Sequence, residues 1–203
     1  MSNKKHLINR NRPTCIKLDE NYLKAYYKNL FRPIRIGLLG DRGVGKTAIC
    51  YPLAGLEYYV YLKTFGSEKY EKNVRLNDFE EIKLVIFDTP GRERLRSAAL
   101  KCIRNVEGVI FVFDITNRNS FDYLKIWLKD MKDNFTKEPT IILFANKIDE
   151  DKEKWKVSIE EIETVAKEYN WDYFKISAKN GIGIDEGFNC IAKKIYNKRI
   201  KDN

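Results

Sequence analysis

The chain has 203 residues, 43% of them hydrophobic and 33% charged. That is enough apolar material for one ordinary domain with a sizeable core, and it excludes wholesale disorder, collagen and a small disulfide-stapled scaffold. The formal charge of +9 is uneven: residues 1–33 carry +6, residues 193–203 carry +4, and the stretch between them −1. A nucleic-acid-binding domain would share its basic excess across the body, so no nucleic acid is expected. Basic ends on a neutral body suit an anionic membrane surface or plain solvation. The longest apolar runs are too short to cross a bilayer, and no apolar stretch follows Met1-Ser2-Asn3-Lys4-Lys5 as in a secretory signal. Cys15, Cys50, Cys102 and Cys190 contain no Cys-x-x-Cys pair. Scattered thiols without an export signal point to the reducing cytoplasm.

In chain order, residues 1–33 form a basic extension and 34–203 a single domain. Within the extension, Asp19 can cap a helix that sets Tyr22, Leu23, Tyr26, Tyr27, Leu30 and Phe31 on one face. Such a stripe needs apolar cover, from the domain itself or from a partner or membrane surface. Apolar runs at Ile34–Leu39, Lys83–Phe87, Val109–Phe113, Thr140–Ala145 and Tyr173–Ile176 predict strands, with Tyr70–Leu76 a sixth. Helical patterns fall at about 46–55, 92–105, 119–133, 158–169 and 185–199. Ser158 with Glu161 reads as a capping box. Pro52 removes the N–H that would bond the carbonyl of Ala48, so the first of these helices should be short or kinked. The alternation predicts a doubly wound α/β domain, a mostly parallel six-stranded sheet with five helices on both faces. Ligands of such sheets bind at the carboxyl ends of the strands.

Gly40-Asp41-Arg42-Gly43-Val44-Gly45-Lys46-Thr47 matches G-x-x-x-x-G-K-[ST] between a predicted strand and helix. Its glycines let successive N–H groups, with those of Asp41 to Ala48, curl around phosphate oxygens. Lys46 adds a cation for the β- and γ-phosphates, and Thr47 a hydroxyl for Mg²⁺. Asn146-Lys147-Ile148-Asp149 closes another strand. The Asp149 carboxylate can accept from the ring N–H and exocyclic amine of guanine, whereas adenine offers neither donor there. Ser177-Ala178-Lys179, after the last strand, supplies backbone donors for the guanine carbonyl. Asp88-Thr89-Pro90-Gly91 ends the Lys83–Phe87 run. Asp88 can hold Mg²⁺ through water, Gly91 can turn its N–H to a γ-phosphate, and Thr64 is the natural second hydroxyl on the ion.

These motifs, in this order, resemble the Ras superfamily of small GTPases and within it the Rab branch, over roughly residues 34–200. GDRGVGKT is similar to the Rab form GDSGVGKS, KLVIFDTPGRER to KLQIWDTAGQER, and FVFDITNRNSF to LVYDITNxxSF. The resemblance implies the P-loop GTPase fold, GTP and GDP as bound nucleotides with Mg²⁺, and switching in vesicle traffic. It makes Tyr58 (or Tyr59) the aromatic on the guanine edge and Thr64-Phe65-Gly66 part of switch I. Residues 91–104 become switch II. Residues 58–72 and 91–104 then meet effectors and regulators.

Three departures stand out. Arg92 occupies the place of the switch II glutamine; guanidinium only donates hydrogen bonds, so it cannot orient water by accepting its proton. Arg42 replaces a small residue beside the γ-phosphate, where it could crowd out an activator's arginine, act as a finger in cis, or point to solvent. Both changes predict slow GTP hydrolysis. The third departure is the absence of a cysteine for prenylation after Cys190, which predicts a cytoplasmic protein, peripheral on endomembranes without a lipid anchor. The rival expectations are a non-hydrolysing GTP-binding scaffold, an ATP-using P-loop enzyme and, last, nucleic-acid binding through the basic ends.

Overall fold

The computed structural model describes residues 20–54, 67–135 and 137–202. Six strands, β1 (Ile34–Leu39), β2 (Glu68–Arg75), β3 (Glu81–Asp88), β4 (Gly108–Asp114), β5 (Thr140–Asn146) and β6 (Asp172–Lys175), form one sheet in the order β2-β3-β1-β4-β5-β6. Only the β2–β3 hairpin is antiparallel; β1, β3, β4, β5 and β6 run parallel. The doubly wound sheet is therefore as the alternation predicted. The chain reverses its winding direction across β1, which places the loop after β1 at a switch point of the sheet.

Period-two alternation assigns each strand residue to one of two cores. Ile34, Ile36 and Leu38 of β1, Ile110 and Val112 of β4, and Ile142 and Phe144 of β5 face one cluster. Val109, Phe111 and Phe113 of β4 and Leu143 of β5 face the other, where Trp127 is fully buried. The helices are α1 (Glu20–Leu30), α2 (Lys46–Cys50), α3 (Arg96–Cys102), α4 (Arg118–Asp122), α5 (Leu124–Lys132), α6 (Ile159–Tyr169) and α7 (Ile184–Asp202).

Several boundaries differ from the sequence pattern. The predicted 46–55 helix is an α-helix of five residues followed by a 3₁₀ turn over Tyr51–Ala54, as Pro52 requires. The 92–105 helix begins as a 3₁₀ turn at Glu93–Leu95 and is α-helical only from Arg96. The 119–133 helix is broken at Tyr123 into α4 and α5. The Ser158–Glu161 capping box forms, and α6 ends on Asn170 in the left-handed region.

The expected amphipathic helix of the extension exists as α1. Leu30 is buried, and Tyr26 and Phe31 pack against the first core; the Phe31 ring lies 5.7 Å from that of Tyr196 on α7. Tyr27 stays exposed. Arg199 of α7 fixes this docking. Its guanidinium donates to Glu107 Oε1 and Oε2 at 2.9 and 2.6 Å, and to the carbonyls of Leu30 and Arg32 at 2.8 and 2.7 Å. Arg32 joins the same carboxylate at 3.0 Å. Two residues counted as basic ends are thus tied into an internal ion pair. Asp19 and the side chain of Tyr22 lie outside the described residues.

Candidate nucleotide site

The carboxyl ends of β1, β3 and β5 carry the predicted motifs to one edge of the sheet. The loop Gly40–Thr47 leaves β1 and enters α2 through Gly45, whose φ of 100° is a left-handed conformation that favours glycine. A Cβ there would also overlap the Asn146 carboxamide. Val44 is buried and anchors the loop, while Arg42 and Gly43 are exposed. Lys46 Nζ curls back to donate to the carbonyls of Gly40 and Asp41 at 2.6 and 2.8 Å. Burial lowers its pKa to about 8, against the opposing pull of Asp88 and Asp41. Gly91 closes over this amine: a Cβ would overlap Lys46 Nζ and lie 2.6 Å from the Asp41 carbonyl oxygen. The close approach explains a glycine at the end of Asp88-Thr89-Pro90-Gly91.

Asp88 is fully buried and Thr47 Oγ1 donates to its Oδ2 at 2.6 Å. Burial raises the Asp88 carboxyl above the ordinary range, with the Thr47 hydrogen bond and Lys46 acting the other way. A hydroxyl beside a desolvated carboxylate is a hard-oxygen donor set, and it fits Mg²⁺ whose remaining ligands are water and phosphate oxygens. Among the described residues no cluster of three or more His, Cys, Asp or Glu could hold a metal by itself.

The base-side motifs meet through Asn146, which is buried. Its Nδ2 donates to the Val44 carbonyl at 2.7 Å, and its Oδ1 accepts from the Ala178 N–H at 3.0 Å. One side chain therefore joins the 40–47 loop to the 177–179 loop. Lys147 follows with φ 69°, a costly backbone state for a residue with a side chain, and its amine pairs with Asp114 at 2.5 Å. Asp149 Oδ1 accepts from Ser177 Oγ at 2.6 Å. Lys179 is exposed and Ala178 buried. Arg92 opens the 3₁₀ turn, its carbonyl accepting from the Leu95 N–H. Tyr58, Tyr59, Thr64, Phe65 and Gly66 lie outside the described residues.

One functional neighbour was not legible from sequence. Trp127 Nε1 donates to Asp41 Oδ1 at 2.8 Å across 86 positions; in the helical pattern it reads only as a core residue.

The Ras family model matches residues 35–197. The chain belongs to the Ras family. Among curated proteins, this Ras-family chain is 33% identical to the rat "Ras-related protein Rab-13" over 173 residues, 85% of the chain and 83% of the relative. It is 33% identical to "Ras-related protein Rab-8" of Diplobatis ommata over 181 residues, 87% of the chain and 84% of the relative. It is 32% identical to rat "Ras-related protein Rab-26" over 169 residues, 82% of the chain but only 65% of that relative's length. It is thus a Rab-like small GTPase, from a family that binds guanine nucleotide with Mg²⁺ and meets effector or regulatory proteins. No helix among the described residues is long and apolar enough to cross a membrane.

Proposed function

We propose that this chain binds GTP and GDP with Mg²⁺ and acts as a switch in vesicle traffic that hydrolyses GTP slowly. The observation that carries this reading is the pair of hydrogen bonds made by Asn146, one donated to the Val44 carbonyl and one accepted from the Ala178 N–H, which joins the phosphate-binding loop to the base-side loop beside Asp149. Asp41, Arg42, Gly43, Val44, Gly45, Lys46, Thr47 and Ala48 hold the phosphates, and Gly91 turns its N–H to the γ-phosphate. Thr47, Thr64 and, through water, Asp88 hold Mg²⁺. Asn146, Lys147, Asp149, Ser177, Ala178 and Lys179 select guanine, with Tyr58 on its edge. The traffic assignment rests on likeness to Rab proteins.

Slow hydrolysis follows from Arg92, a donor where water needs an acceptor, and from Arg42 beside the γ-phosphate. Those same residues favour, as the second reading, a scaffold whose GTP never turns over. Effectors and regulators meet residues 58–72 and 91–104. An anionic membrane surface would attract the exposed Lys24, Lys28, Lys193 and Lys201.

Extracting nucleotide from the purified protein and following a single turnover tests the reading. Guanine nucleotide is retained and excess ATP does not displace it. Hydrolysis is slow, and Arg92→Gln with Arg42→Ser accelerates it by about 10²-fold or more. Displacement by ATP overturns the base assignment. A wild-type rate equal to that of ordinary Rab proteins overturns the slow switch, and GTP that never turns over selects the scaffold.

A further inference from the structure

Four side chains, those of Arg96, Asp130, Trp127 and Asp41, connect α3 to the phosphate-binding loop. Arg96, the first residue of α3, holds its guanidinium over the Trp127 ring, 5.1 Å from the centroid. Its Nη1 donates to Asp130 Oδ2 at 3.2 Å. Asp130 stands three residues after Trp127 on α5, so one face of that helix supplies both the ring beneath the cation and the carboxylate at its edge. Trp127 is fully buried, and its one polar atom donates to Asp41 Oδ1. The Asp41 carbonyl in turn accepts from Lys46 Nζ and lies under Gly91.

The chemistry of this chain is directional. A buried indole N–H needs a partner, and a carboxylate partner makes the bond charge-assisted. A cation over the ring draws π density away from the N–H and makes it a better donor. Arg96 Nε is itself buried without a hydrogen-bond partner, so the ring and Asp130 are the contacts that hold the guanidinium here. A shift of α3 would take the cation off the ring, weaken the N–H as a donor and loosen the grip on Asp41.

We propose that Trp127 is a positioning residue that ties the phosphate-binding loop to segment 91–104, so that the conformation of that segment sets how firmly the loop is held. This rests on the proposed switch function, with residues 91–104 as its switch II segment.

The test uses the full chain with ¹⁵N-labelled tryptophan. It has three indole N–H groups, of Trp127, Trp155 and Trp171. Trp127→Phe assigns the resonance of interest; Asp41→Asn, which weakens the acceptor, assigns it independently if that variant does not fold. On replacing GDP by a non-hydrolysable GTP analogue, the Trp127 resonance moves. In Arg96→Ala the movement is lost while the Trp155 and Trp171 resonances keep their positions. GDP dissociates about two- to fivefold faster, and Arg96→Lys restores part of the difference.

Failure to retain any nucleotide overturns the function proposed above. Retained nucleotide with a stationary Trp127 resonance overturns the coupling alone. So does a movement that survives Arg96→Ala, or a GDP dissociation rate that Arg96→Ala leaves unchanged.

Discussion

A carboxylate distinguishes purines because it has only acceptors to offer, and Asp149 stands where such a choice matters. On the proposed base assignment, Asp149→Ala removes two charge-assisted hydrogen bonds to guanine, each of about 1.5–3 kcal/mol. The expected outcome is a loss of GTP affinity of about 10²–10⁴-fold with little change for ATP, read by calorimetry. Asp149, Lys46 and Thr47 were legible as members of short motifs, and the structure brings those motifs together beyond the carboxyl ends of β5 and β1. Asn146 was legible as a member of the motif but not as a joint, because its partners, Val44 and Ala178, are 102 and 32 positions away. Arg199 was misread by its surroundings. Among Lys193, Lys194, Lys198 and Lys201 it looks like tail charge, yet it is 7% exposed and bonded to Glu107.

Among the elements, the docking of α1 onto α7 shows what local pattern can and cannot reach. The spacing of apolar residues implies that α1 has a face to cover, and the packing of Tyr26, Leu30 and Phe31 covers part of it, with Tyr27 left exposed. The guanidinium that secures the contact comes from the far end of the chain and leaves no trace in the pattern of α1. Truncating it strands the Glu107 carboxylate with Arg32 alone. Arg199→Ala should lower unfolding stability by about 3 kcal/mol, measured by denaturant titration. Hydrogen exchange in 20–33 should rise while GDP affinity stays unchanged, since the clasp lies at the start of β1 and the nucleotide site beyond its end. The bounds of β1 agree with the apolar run residue for residue. Those of β2 and β3 are longer than their runs, because hairpin pairing from Glu68↔Asp88 to Arg75↔Glu81 recruits polar residues that hydropathy cannot flag.

At the scale of the whole molecule, the three thiols among the described residues are graded by depth. Cys102 is exposed, Cys190 half-buried and Cys50 buried. Burial, with Asp172 as hydrogen-bond partner, pushes the Cys190 thiol up to about 11. Its reactive thiolate therefore grows in as pH approaches 11, and its alkylation at pH 8 is slow. Burial also raises the Cys50 thiol well above the ordinary range, and that thiol needs an opening of the fold to react. Among these three, alkylation followed by mass spectrometry should modify Cys102 first, Cys190 next and Cys50 last. Bound GDP should slow Cys50 most, since a ligand of the native state suppresses its opening. The carboxamide of Asn146 has a larger consequence. With both its ends committed to main chain, the 40–47 loop and the 177–179 loop are fastened together in the folded protein. If these loops receive the nucleotide as proposed, that half of the seat is assembled before the ligand arrives, and the entropy of arranging it has been met beforehand.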